Sequence, residues 1–170
     1  MALLYRRRHP RPGPPVVSQT GGGAAGATQP AEQWERPLPR PDNVSKPFWE
    51  AASRGELLIQ RCPSGHRQFY PRAVCRVCGS DPEWERASGR GTVHTFTVIR
   101  QNHARPFRDE LPYVVAMVEL DEGVRMMGNI TDCAIDQVRI GMPVEVHMVQ
   151  AEPGVGVPFW RPVAGEGRES

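Results

Sequence analysis

The spacing of apolar positions changes twice along the chain, and those changes divide it. Up to about residue 41 there is no period at all. Runs such as GGGAAGATQP and RPLPRPD hold too little apolar surface to offset the entropy of ordering them. Residues 1–41 therefore read as a disordered Pro/Gly-rich tail. It is basic through Arg6, Arg7, Arg8 and Arg11, since the first acidic residue is Glu32. Over NVSKPFWEAASRGEL the pattern becomes helical. Ser45 stands at the N-cap position, and Pro47 falls in the first turn, where its missing N–H costs little. Phe48, Trp49 and Ala52 share a face, and Gly55 can end the element. The expectation is a short N-terminal helix within 42–57.

Next, ELLIQRC reads as a short strand leading into a cysteine-rich segment, with the unit spanning 58–85. From residue 86 β-branched and aromatic residues take over. GRGTVHTFTVIR, PYVVAMVEL, VRMMGNI, PVEVHMVQA and VGVPFWRPV form five short strand patterns. DEG marks a hairpin turn between the second and third, and TDCAIDQVRIGM allows a helical turn before the fourth. That order predicts a mainly β chain with a five-stranded Greek-key barrel of the OB type over 86–164. A small β-sandwich is the competing arrangement. Residues 165–170 read as a disordered C-terminus.

Composition narrows this picture. A chain of 170 residues suffices for one moderate domain and a smaller appendage. Seventeen glycines, eighteen prolines and 39% hydrophobic residues agree with substantial irregular chain. A net charge of +2 gives no strong balance for binding polyanions. Lys46 is the only lysine, which GC-rich codon usage explains better than nucleic-acid recognition does. No apolar run approaches the roughly 20 residues that span a bilayer. The start MALLYRRRHPRPGPP places its charges after a brief apolar stretch and does not read as a signal peptide. Three of the four cysteines lie in one segment at ligand spacing, while Cys133 stands alone. That usage points to a metal in a reducing compartment, the cytoplasm, rather than to disulfides.

The metal expectation rests on CPSGHRQFYPRAVCRVC, residues 62–78. Zinc takes four thiolate or imidazole ligands in a tetrahedron. Cys75 and Cys78 form a CxxC turn and Cys62 supplies a third sulfur. His66 lies four residues beyond Cys62, where its longer side chain reaches the place of a cysteine one position earlier. A Cys3His ribbon follows, with a closed and therefore structural site. A surface His66 with a three-coordinate or empty site is the alternative.

PFWEAASRGELLIQRC, QFYPRAVCRVCGS, GRGTVHTFTVIR, PYVVAMVELDEGVRMMGNI, IGMPVEV and VPFWRPV, in that order, make the chain resemble a known family over about residues 43–163. It is the acyl-CoA-associated family with a rubredoxin-like zinc ribbon and an OB-fold, catalogued as domain of unknown function thirty-five. The resemblance implies a non-catalytic partner of thiolase-like enzymes, including lipid-transfer-type thiolases and steroid side-chain aldolases, working near acyl-CoA. It matches Cys62, Cys75 and Cys78 to the family's first, third and fourth metal cysteines. Where the second would stand this chain has Gly65 and then His66, so His66 is inferred from position alone.

A nucleophile with its base is not evident, since no GxSxG, HExxH or Gly-rich phosphate loop occurs. Cys133 reads as a small buried hydrophobe, and His94 and His147 fall on strand patterns. The loop RQNHARPFRDELP gathers Arg100, His103, Arg105, Phe107 and Arg108 between the first two barrel strands. Its guanidinium groups and aromatic ring suit coenzyme A phosphates and adenine, or a partner subunit, or simply solvent. Arg108 can also neutralise Asp109 and Glu110. In VPFWRPV, Phe159 and Trp160 must face opposite ways, leaving one for the barrel interior and one for an interface or the helix aromatics. A single-stranded nucleic-acid module is the competing function, but it needs more aromatics than 7% and a basic groove. A stand-alone acyl-CoA enzyme is a third.

Overall fold

The computed structural model describes residues 34–163. The readings for residues 1–33 and 165–170 lie outside the described residues. Among the described residues the first regular element is helix α1, Lys46–Ser53, which buries Phe48, Ala51 and Ala52. It ends where expected, with Gly55 at φ +84° and its N–H on the Ala52 carbonyl at 3.0 Å.

Its start differs from expectation, because the Ser45 side chain caps nothing. Ser45 is itself in the helical region (φ −90°, ψ −11°), whereas a capping serine needs extended backbone to aim its oxygen at the first turn. Asp42 engages it instead. Asp42 Oδ1 accepts from the Ser45 N–H at 2.7 Å and the Ser45 hydroxyl at 2.6 Å. These two bonds hold the Asp42 carboxyl below its ordinary value.

Strands β1 (Leu58–Arg61), β2 (Arg67–Gln68) and β3 (Glu83–Arg86) form an antiparallel sheet in the order β2-β1-β3. The barrel follows, built from β4 (Arg90–Ile99), β5 (Tyr113–Leu120), β6 (Arg125–Ile130), β7 (Pro143–Glu152) and β8 (Val155–Pro162). A 3-10 turn, Ile135–Gln137, precedes β7. The order β4-β5-β6-β8-β7 closes when β7 pairs with β4. One closed sheet, rather than two facing sheets, excludes the sandwich. The parallel β6–β8 pairing at Ile130 and Trp160 makes the closure possible.

Strict alternation builds the barrel interior. Along β5, Val114, Ala116, Val118 and Leu120 are buried while the residues between them are only half-buried. Trp160 is wholly buried and Val144 closes the layer from β7. The apolar cluster runs on through Leu57, Ile59 and Phe48, so helix, ribbon base and barrel share one core.

The outward aromatic of the last strand is Phe159, and it packs on neither an open surface nor the helix aromatics. Trp34 meets it edge-on at 6.2 Å, and the Arg36 guanidinium lies 5.2 Å from its ring. Residues 34–41 therefore correct the reading of the tail, because Trp34 and Arg36 lie against the barrel without forming a regular element. Isolated anchors leave no periodic signature. No helix among the described residues is long and apolar enough to cross a membrane.

Candidate metal centre

Two tight turns present the donors. In the first, the Cys62 N–H bonds the His66 carbonyl at 3.0 Å and the Gly65 N–H bonds the Cys62 carbonyl at 2.8 Å. Gly65 sits at φ +83°, where a side chain would be strained, and that conformation turns the next residue, His66, back over Cys62. In the second, the Cys75 N–H bonds the Ser80 carbonyl and the Gly79 N–H bonds the Cys75 carbonyl, both at 2.8 Å.

The four expected residues converge. One donor atom from each of Cys62, His66, Cys75 and Cys78 lies within 4.8 Å of all the others. Zinc–sulfur bonds of 2.3 Å in a tetrahedron put sulfurs about 3.8 Å apart. Cys78 Sγ is 3.6 Å from Cys62 Sγ, and His66 Nδ1 is 3.4 Å from Cys62 Sγ and 3.9 Å from Cys75 Sγ. The donor set thus fits a tetrahedral zinc, and with four protein donors no position remains for substrate or water. It is a structural zinc site of the Cys3His type.

Electrostatics favour ionised thiols there. The Ser80 hydroxyl, 3.1 Å from Cys78 Sγ, together with the Ser80 backbone and His66, brings the Cys78 thiol down to about 5. Burial opposes ionisation of Cys62, yet the hydrogen bonds around it leave its thiol lowered overall. Hydrogen bonding to Cys78 and Cys62 raises His66 in turn.

Two residues that sequence reading passed over hold the loop between the turns. Gln60 and Gln68 are both buried, and Gln68 Nε2 donates to Gln60 Oε1 at 2.9 Å. Gln60 also accepts from the Arg72 N–H at 2.8 Å and donates to the Arg72 carbonyl at 3.0 Å. Gln68 accepts from the Arg76 N–H at 3.0 Å, beside Cys75. Both amides serve the backbone that carries the second pair of thiols. The available signal was a glutamine at the centre of an apolar strand, in LLIQRC.

The loop between β4 and β5 separates the other expected residues. Arg100, His103 and Arg105 are exposed. Phe107 is half-buried beneath Arg36, whose guanidinium lies 5.3 Å from its ring, so that face is not free to stack on adenine. Arg108 lies 3.6 Å from Asp109, and Glu110 pairs with Arg36 instead. Elsewhere, burial raises the Cys133 thiol, with Asp132 adding to the effect, so Cys133 stays protonated at neutral pH. Burial lowers His147, which lies 2.8 Å from the Thr131 hydroxyl.

Comparison with known proteins agrees with this architecture. Residues 49–85 match the family described as "ChsH2, rubredoxin-like zinc ribbon domain", and residues 84–149 match "ChsH2, C-terminal OB-fold domain". A "Probable enoyl-CoA hydratase alpha subunit" of Thermomonospora curvata is 38% identical over 139 residues, 79% of this chain, although the chain spans only 43% of that protein. A "DUF35 domain-containing scaffold protein" of Pyrococcus furiosus is 33% identical over 108 residues, 63% of this chain and 79% of the relative. Among solved structures, a chain of "Ltp2-ChsH2(DUF35) aldolase" is similar with a TM-score of 0.66 and 36% identity, covering 73% of this chain and 98% of that one. With ribbon, barrel and donor set all in place, the chain belongs to the DUF35 family of zinc-ribbon and OB-fold proteins.

Proposed function

We propose that this chain is a non-catalytic accessory subunit. It binds and stabilises a thiolase-like enzyme, of the lipid-transfer-type thiolase or aldolase class, that acts on acyl-CoA in lipid or steroid side-chain metabolism in the cytoplasm. The observation that carries this reading is the likeness to a chain whose name couples it to Ltp2 in an aldolase, over 98% of that chain. The name "scaffold protein" on a relative of similar size supports the same role.

In this reading zinc is held by Cys62, Cys75 and Cys78 through sulfur and by His66 through Nδ1, and it fixes the ribbon without entering any reaction. Arg100, His103 and Arg105 present cationic and polar groups from the β4–β5 loop to an anionic group, either a coenzyme A phosphate or the partner's carboxylates. Phe107 and Arg108 shape the base of that loop.

The test is co-expression of the full chain with a thiolase-like enzyme of the same organism. The expected result is co-elution at constant ratio, with thioester turnover belonging to the complex and absent from the isolated chain. A thiolase-like enzyme that is soluble, fully active and separate from this chain on gel filtration contradicts the proposal.

A further inference from the structure

Arg36 precedes every regular element among the described residues, yet its side chain is only 14% exposed. Its guanidinium has three aromatic rings around it, Phe159 at 5.2 Å, Phe107 at 5.3 Å and Trp34 at 5.8 Å from ring centroid to Cζ. Its edge is equally engaged. Arg36 Nε donates to Glu110 Oε1 at 3.0 Å, Nη2 donates to Glu110 Oε2, and Nη1 donates to Asn129 Oδ1 at 3.2 Å. Asn129 is held in that orientation because its Nδ2 donates to the Val114 carbonyl at 3.0 Å. One side chain therefore ties Phe107 and Glu110 of the β4–β5 loop to β6 through Asn129 and to β8 through Phe159.

The loop has no comparable tie. Among the described residues its other hydrogen bonds stay inside it or reach Tyr113 at its end. They join Gln101 to His103, Ala104 to Asn102, Arg108 to Ala104, Leu111 to Arg108 and Asn102 to the Tyr113 hydroxyl. The contacts of Arg36 are also electrostatic. It cancels the charge of Glu110 while Arg108 faces Asp109, and neither Arg100 nor Arg105 forms an ion pair among the described residues. Those two guanidinium groups then set the field at the loop's outer surface.

We infer that Arg36 is a positioning residue for the β4–β5 loop: it clamps Glu110 and Phe107 to the barrel wall, fixing the loop that displays Arg100 and Arg105 and removing its opposing charge. The clamp needs an arginine. Only a planar guanidinium can meet both carboxylate oxygens and an amide along its edge while aromatic rings surround it; a lysine ammonium offers one point of charge. The use of the loop as a contact surface rests on the function proposed above, whereas the clamp itself does not.

The experiment measures amide hydrogen exchange across residues 100–112 of the full chain, in wild type, Arg36→Ala and Arg36→Lys. The expected result is loop exchange at least about tenfold faster in Arg36→Ala, the effect of losing one charge-assisted bond or more. The interiors of β5 and β6 stay unchanged, and Arg36→Lys falls between. Glu110→Gln, which leaves the stacking in place, is expected to move the loop in the same direction by less. Unchanged loop exchange in Arg36→Ala, or loop and barrel strands accelerating together, overturns the inference. A parallel titration of the co-expressed complex with coenzyme A separates the two claims. Weaker binding in Arg36→Ala, with a smaller salt dependence, supports both. A loosened loop with unchanged coenzyme A and partner affinity leaves the clamp standing and removes the loop from the proposed contact surface.

Discussion

Around Gln60 and Gln68 the ribbon buries amides, while around Val118 and Val144 the barrel buries hydrocarbon. The ribbon's strands are four, two and four residues long, too few to bury an alternating face. Its loops are held by amide-to-backbone bonds and by four converging donors. The barrel's strands run from six to ten residues and close on themselves, so its interior is filled by side-chain volume. The contrast teaches that one chain can build two adjoining regions differently, one around converging metal donors and buried amides and one around packed hydrocarbon. The shared cluster through Phe48, Leu57 and Ile59 is where they depend on each other.

The largest expected effect breaks the ribbon alone. Cys75→Ser, or removal of zinc by a chelator, forfeits binding energy that in small zinc domains reaches roughly 10 kcal/mol. Amides of residues 62–80 are expected to lose protection from hydrogen exchange while those of β5 and β6 keep theirs. Collapse of both regions together would mean that the barrel leans on the metal as well.

Trp160→Ala attacks the other side. A wholly buried ring lost from a closed barrel is expected to cost about 3–5 kcal/mol, read by denaturant unfolding. Zinc stoichiometry in the fraction that remains folded should be unaffected. A third variant, Gln60→Leu, leaves the buried Gln68 amide and the Arg72 N–H without their shared acceptor and is expected to cost about 1–3 kcal/mol. It should also speed zinc loss to a chelator. Equal zinc-loss rates in Gln60→Leu and wild type would show that the amides do not organise the thiol loop.

The smallest effect concerns Arg67 and Glu85, which pair across the ribbon with Arg67 Nη2 2.8 Å from Glu85 Oε1. Hydrogen bonding to Arg67 holds the Glu85 carboxyl below its ordinary value. A lowered carboxyl contributes stability that is complete above its unfolded value and disappears as pH falls through the folded one. Glu85→Gln should therefore shift the melting temperature slightly at neutral pH and not at all in strong acid. A shift that persists unchanged in strong acid would point to packing rather than charge.

The barrel was legible in the sequence because its strands repeat a period of two, as in PYVVAMVEL, and because a helical turn stands before the fourth strand. The metal cluster was legible from spacing, including His66 one position beyond the missing cysteine. Other features left no period to read. Strand β2 has only two residues, β3 (EWER) carries a single apolar residue, and the Asp42–Ser45 exchange depends on a backbone angle. That Phe159 faced away from Trp160 followed from alternation, but its cover, Trp34 and Arg36, lies more than a hundred residues earlier. Long-range contacts by isolated residues are set by tertiary structure and leave no local trace.

X-ray absorption on the full chain purified without chelator tests the central claim most directly. One zinc per chain with three sulfur neighbours and one nitrogen, changing to a nitrogen-free shell or to metal loss in His66→Ala, is the expected result. A chain that folds with an intact ribbon and no metal, or an identical three-sulfur, one-nitrogen shell in His66→Ala, would contradict it.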